Sequence, residues 1–479
     1  MRTRLVAAML VLAQASAAVV ASVELPAIIA DNMVVQQQSN VPIWGWADPN
    51  ENVVVTASWD GREMHVVAGA DRRWQTRLAA PAAGGPYTIT VEGSNKIVLR
   101  NVLVGEVWVC SGQSNMQFTL GKGPRWMTGD INEATEVPAA NYPAIRFFTV
   151  APKYSDISQD DCSGAWVECS PDTVKNFSAV AYYFGRELHR RLNVPVGLIC
   201  AAYGGTPAEA WMMRDAFAAD SELADMLAQY DRDKAAFPKL RAQYEKEQAG
   251  WEAARAEAAA DGTEFAVAAP RRPRRVPNQG SPAVLWNAMV NPIVPFGIRG
   301  VIWYQGESNH LSAWQYIRLF QVMIASWREA WRQGDFPFYY VQIAPYKDLG
   351  PEIREAQRIV SQKAPNTGMV VTTDVGDCND IHPRNKRPVG ERLARLALAN
   401  TYGVSDIVFT GPVYERIEDT NDGRLILSFR HADGGLKSKS ELTGFTLAGD
   451  DRKFVAANAK IDGNKVIVWS EEVDRPVAV

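Results

Sequence analysis

The sequence contains no CxxC pair and only five cysteines in 479 residues. That excludes a zinc ribbon and a thioredoxin-type redox site. The five, Cys110, Cys162, Cys169, Cys200 and Cys378, are an odd number, so at least one stays unpaired. Cys162 and Cys169 lie close enough in the chain to be expected as a pair across a short loop. Cys110 and Cys200 sit inside apolar runs and read as buried thiols. Beyond the N-terminus no stretch approaches the roughly 20 apolar residues of a membrane span. No basic stripe extends past "RRPRR" at 271–275, and the net charge is −4, so nucleic acid is not an expected partner. Histidine is scarce as well. Only His65, His189, His310, His382 and His431 could serve as an imidazole base.

What is present is ordinary globular composition, with 22% charged and 47% hydrophobic residues. The length predicts two or three domains. Residues 1–22 combine Arg2 and Arg4, an apolar centre and an Ala-rich tail. This is the pattern of a signal peptide, and it implies a secreted or periplasmic protein.

Residues 23–102 alternate short apolar runs with Gly, Pro, Asn and Asp, which predicts a small antiparallel β domain. From 103 to 404 apolar runs alternate with helical patterns, the signature of an α/β domain with a parallel sheet. Strands are expected at 104–109, 196–201, 300–304, 338–343 and 369–373, and helices at 178–192 and 389–403. The charged stretch at about 215–275 reads as a helical insertion. Residues 405–479 return to a β pattern, which could complete the N-terminal β domain.

Ligands of parallel α/β sheets bind at the carboxyl ends of the strands. Here the first expected strand ends at Ser114, the second at "YGGT", the third at "QGESN" and the fifth at "DVGDCNDIHP". These four loops hold what acyl transfer requires. Ser114 is the candidate nucleophile, and it needs a base to accept its proton. His382 is the candidate base, with His310 a second possibility. The orienting carboxylate is expected to be Asp380, with Asp377 as the alternative, hydrogen-bonded to Nδ1–H. Position 379 is Asn and cannot fill that role. The main-chain N–H groups of Ser114 and Gly205 and the amide of Gln305 are the expected oxyanion donors. Asp374, Asp377, Asp380 and His382 could also be read as a hard-cation site, but their spacing is not a ligand pattern. No metal and no cofactor is expected.

The segments "GEVWVCSGQSNMQF", "YGGTPAEAW", "GVIWYQGESN" and "DIHPRNKRPVGERLA" resemble the four motif blocks of the sialate O-acetylesterase family. That family lies within the wider SGNH-hydrolase superfamily. The likeness extends to "LPAIIADNMVVQQQSNVPIWGWADP" in the β domain, so it spans most of the chain. It implies a flavodoxin-like three-layer α/β core, no metal, and removal of acetyl esters from sugar hydroxyls. Carried over, the nucleophile falls on Ser114, the base on His382, and the oxyanion donors on Ser114, Gly205 and Gln305. Two positions depart from the superfamily pattern, which has Asp before the serine and Asp three residues before the histidine. Here they are Gln113 and Asn379, which leaves the acid open between Asp380 and Asp377. The family's last β region usually runs past the equivalent of "VDRPVAV", so the C-terminal segment is expected to be incomplete. An acetylated sugar or polysaccharide is the implied partner, with xylan or xyloglucan as alternatives to sialate. Trp126, Trp211 and Trp303 lie near the motif blocks and could stack on a sugar ring. A non-catalytic carbohydrate-binding protein is the competing reading.

Overall fold

Residues 96–112 change character along their length, and the fold is organised around that change. The structure, a computed structural model, describes residues 23–124 and 126–479. The expected signal peptide at 1–22 lies outside the described residues. Lys96–Gly112 forms one strand of 17 residues. Up to Asn101 it is only partly covered, and it pairs antiparallel with Gly84–Glu92. From Val102 onward every residue is buried, as a strand covered on both faces must be. The position at which the sequence suggests a boundary, 102/103, is where the strand enters the interior without breaking.

That strand stands at the middle of a large mixed sheet. Its parallel part runs in the order Thr367–Val370, Phe338–Val341, Gly300–Tyr304, Lys96–Gly112, Val196–Ala202 and Tyr142–Thr149, with Trp166–Cys169 antiparallel at the edge. The chain winds first to one side of Lys96–Gly112 and then to the other. This places its carboxyl end at a topological switch point, where such sheets open a crevice. The last expected strand lies slightly earlier than predicted, because Thr372 has already left the sheet and bonds Gln342 O at 2.9 Å.

Successive strand residues feed two separate cores. Val107, Val109, Val301 and Trp303 join one cluster, while Trp108, Cys110, Ile302 and Tyr304 join the other. Helix Ala313–Trp331 contributes to the first cluster, and helices Ala179–Leu192 and Arg387–Asn400 to the second. The long helix Ala224–Ala260 buries only Leu227 and Tyr230, and otherwise carries solvated side chains over its 37 residues.

Two expectations need correction. The C-terminal strands do not complete the N-terminal β region. They form a sheet of their own, with five antiparallel strands around Leu425, Leu427, Leu447, Val466 and Val468. Nor are Cys162 and Cys169 paired, since all five cysteines are free thiols. Cys162 packs against the first cluster and Cys169 lies in the second, so nearness in sequence does not become nearness in space. Burial pushes both thiols up to about 12.

One buried carboxylate ties these parts together. Glu106 lies inside the buried half of the long strand and accepts from Gln36 Nε2 (3.2 Å) and Gln37 Nε2 (2.7 Å) of the N-terminal region. It also takes both arms of Arg299 (2.7 and 3.0 Å) and the Tyr402 hydroxyl (2.7 Å). Removing Glu106 leaves the partly exposed Arg299 guanidinium without its partner and strands the buried amide of Gln36. Glu106→Ala should therefore lower stability by about 1–3 kcal/mol in urea unfolding followed by tryptophan fluorescence. A loss under about 1 kcal/mol would show that the Arg299 guanidinium finds solvent instead.

Candidate active site

The turn after the long strand can be made only by glycine. Gly112 has φ +137°, and a Cβ there would lie 2.2 Å from Tyr304 O. Its carbonyl accepts from Tyr203 N–H (3.0 Å), and Gln113 N–H donates to Tyr304 O (2.9 Å). The chain thus leaves the sheet between the two neighbouring strand ends and starts a single helical turn, Ser114–Gln117. Ser114 sits at its first position and lines a cavity of about 1040 Å³. His382 arrives from the loop after Thr367–Val370 and places Nε2 2.9 Å from Ser114 Oγ. The Trp126 ring stacks on the imidazole, with centroids 4.4 Å apart and planes at 24°.

Beneath this pair lies a buried polar tie. Asn115 Nδ2 donates to Glu307 Oε1 (2.6 Å) and to Ile381 O (3.0 Å), while Asn115 Oδ1 accepts from Lys386 Nζ. Lys386 is completely buried, with its ammonium over the rings of Phe118 (4.8 Å) and Tyr304 (5.5 Å). Burial lowers the Lys386 ammonium to about 7, against the raising pull of Glu307, Asp130 and Asp380. Burial also raises the Glu307 carboxyl above its ordinary value. His382 is lowered to about 4, first by burial and then by the Lys386 charge, with Asp380 acting the other way. The imidazole is therefore neutral near pH 7. With its proton on Nδ1, it can accept from the serine hydroxyl.

The expected site residues divide into those brought together and those that are not. Ser114 and His382 meet. Gly205 lines the same cavity at φ +70°, which favours glycine, although a Cβ there would meet open space. Among the described residues, no hydrogen bond takes up the main-chain N–H of Ser114 or of Gly205. Gln305 does not join them. It is fully buried, and its Nε2 donates to Asn309 Oδ1 (2.6 Å) and Thr206 O (3.3 Å), while its Oε1 accepts from Tyr316 (3.3 Å). Because Asn309 Oδ1 also accepts from Ala208 N–H, the orientation of both amides is determined. Gln305 thus fastens two loops to each other and faces away from the cavity.

The aspartates are similarly committed. Asp380 Oδ1 accepts from the main-chain N–H of His382 at 2.8 Å, and no hydrogen bond reaches Nδ1 among the described residues. Asp377 Oδ1 accepts from Asn379 N–H, and Asp374 pairs with Arg392. His310 lines the cavity with its Nδ1 held by Glu307 O at 2.8 Å. Trp211 and Trp303 are wholly buried and touch each other, which leaves Trp126 as the cavity aromatic of the three. Asn115, Glu307 and Lys386 were not singled out from the sequence, although each lies within a motif block. A lysine four residues past His382 was the available signal.

Comparison with known proteins agrees with the motif blocks. Residues 283–399 match the family model described as carbohydrate esterase, sialic acid-specific acetylesterase. The chain is 32% identical over 432 residues to a sialate O-acetylesterase of Rattus norvegicus, covering 81% of this chain and 75% of that one. The Homo sapiens sialate O-acetylesterase is 30% identical over 436 residues, covering 81% and 73%. A crystal structure of a carbohydrate acetylesterase from Xanthomonas citri superposes with TM-score 0.75 at 33% identity, over 95% of this chain and 93% of that one.

The pairing of His382 with a buried ammonium has a measurable sign. Folding favours the neutral ring, so stability from this group falls as pH drops from the ordinary histidine value of 6.5 towards about 4. Lys386 is still charged in that window. Side-chain NMR should show His382 titrating near 4, and Lys386→Met should move its midpoint upward. A midpoint at or above 6.5 in the parent protein contradicts this electrostatic account.

Proposed function

The chain belongs to the sialate O-acetylesterase family, and from that premise we propose that it removes O-acetyl groups from carbohydrates through an acetyl-enzyme on Ser114. It is a carboxylic ester hydrolase. The observation that carries the mechanism is the 2.9 Å contact between Ser114 Oγ and His382 Nε2 on the wall of the cavity. Ser114 Oγ attacks the acetyl carbonyl carbon while His382 Nε2 takes the hydroxyl proton. The carbonyl π electrons move to oxygen, where the N–H groups of Ser114 and Gly205 meet the charge. The C–O bond to the sugar then breaks, and His382 returns the proton to the departing sugar oxygen. A water, deprotonated by the same nitrogen, attacks the acetyl ester and releases acetate and free Ser114.

Asp380 takes part by holding the main chain of His382, and its negative charge favours the transient imidazolium. Asp377 shapes the loop before it. The packing of helices against both faces of the parallel sheet supports a three-layer, flavodoxin-like core. The N-terminal pattern at 1–22 supports a secreted or periplasmic site of action.

For substrate, the cavity of about 1040 Å³ is comparable to the largest small-molecule sites, roughly 1,000 Å³, and has room for a sugar residue together with a neighbour. Trp126, Tyr203 and Tyr346 add aromatic wall. This supports a second reading, an esterase of acetylated hemicellulose such as xylan or xyloglucan, beside the sialate reading. The non-catalytic reading is disfavoured because a binding module has no use for a hydroxyl–imidazole pair.

Ser114→Ala should lower kcat for p-nitrophenyl acetate by roughly 10⁴-fold or more, at unchanged melting temperature. Undiminished acetate release by that variant would sink the proposal. Side-by-side incubation of the parent enzyme with O-acetylated sialic acid and with acetylated xyloglucan, scored by acetate, should separate the two substrate readings.

A further inference from the structure

The oxyanion site described so far holds two donors, and the amide expected as the third is spent elsewhere. Gln305 has both ends of its side chain committed inside the protein. A different amide is free. Gln113 precedes the nucleophile directly, is only 3% exposed, and lines the cavity. Its Oε1 accepts from the main-chain N–H of Gly306 (3.5 Å) and of Ser308 (3.3 Å). Both contacts are long, but two N–H groups facing one end of the amide favour the oxygen there. The end left is Nε2, and among the described residues it makes no hydrogen bond. Nε2 is not one of the sealed-off unpartnered atoms of the interior, so it is reached from the cavity that Gln113 lines and is free to meet a ligand there.

We propose that Gln113 Nε2 is the third donor to the acetyl oxyanion, beside the N–H groups of Ser114 and Gly205. The residue directly before Ser114 thus carries a group that can donate. Its oxygen end is anchored on the loop after Gly300–Tyr304, so the donor is held in place before substrate arrives. Preorganisation of this kind lets a hydrogen bond strengthen as charge develops, without a reorganisation step. The assignment rests on the acyl-transfer reading above and specifies which group completes it.

Gln113→Glu tests it directly. The carboxylate keeps an acceptor for the Gly306 and Ser308 N–H groups, but puts an acceptor where the donor stood. With p-nitrophenyl acetate, which carries no sugar, kcat should fall by about 10²–10³-fold while KM stays within about threefold. Affinity for methylboronic acid, which adds to Ser114 as a tetrahedral anion, should fall in parallel. Gln113→Met, which removes the donor without adding charge, should show the same kcat loss if its melting temperature is kept. The proposal is overturned if Gln113→Glu retains kcat within threefold of the parent, or if boronate affinity is unchanged. Ser114→Ala separates the two levels. If that variant is inactive while Gln113→Glu is fully active, the acyl-transfer reading stands and only the Gln113 assignment fails. If Ser114→Ala remains active, both fall.

Discussion

Asn115 is the point on which the site depends. Its amide joins three loops that are far apart in sequence: its own turn, Glu307 after Gly300–Tyr304, and the segment from Ile381 to Lys386. Ser114 is the residue before it, and His382 follows Ile381 directly. The 2.9 Å serine–histidine contact therefore inherits its precision from a tie one layer below. An interior polar network is costly unless nearly every member is satisfied, which makes it a rigid specifier when it is. Glu307 Oε2 is the one orphan atom in this cluster, and Glu307 also lines the cavity.

The same tie contributes to the electrostatics. Burial first, and then the nearby Lys386 ammonium, makes protonation of His382 unfavourable, whereas an acid on Nδ1 would make it favourable. The site thus trades base strength for availability. In the proposed acyl transfer, a weakly basic nitrogen would have less drive to take the serine proton but would stay unprotonated near neutral pH. Stabilisation of the developing negative charge would then carry more of the barrier. That places weight on the Ser114 and Gly205 N–H groups and on any further donor nearby.

Much of this was readable in the chain. The parallel strands, the helices that flank them, and the convergence of Ser114, Gly205 and His382 follow from a simple rule, that strands of one direction deliver their following loops to one edge. The rule says which loops converge but not which side chains within them turn outward. "GQSN" and "QGESN" each offer a glutamine, and composition cannot distinguish them. The interior partners decide, since Thr206 and Asn309 take the amide of Gln305 while Gly306 and Ser308 take only the oxygen of Gln113. Cys162 and Cys169 teach the same lesson, for seven residues of separation cannot reveal that the two thiols join different apolar clusters.

The acid shows how local geometry limits a borrowed template. An aspartate two residues before another residue readily accepts that residue's main-chain N–H, the Asx-turn arrangement. Asp380 does this with His382 at 2.8 Å. With that oxygen engaged at the backbone, no hydrogen bond joins the carboxylate to the ring among the described residues. A spacing of three would have relaxed this competition, but position 379 is asparagine. Asp380 is therefore better understood as the residue that shapes the histidine's loop and adds a nearby negative charge than as a hydrogen-bond acceptor for the imidazole. In this chain the orientation of the base comes from the Trp126 stack on one side and the Asn115–Lys386 tie beneath it.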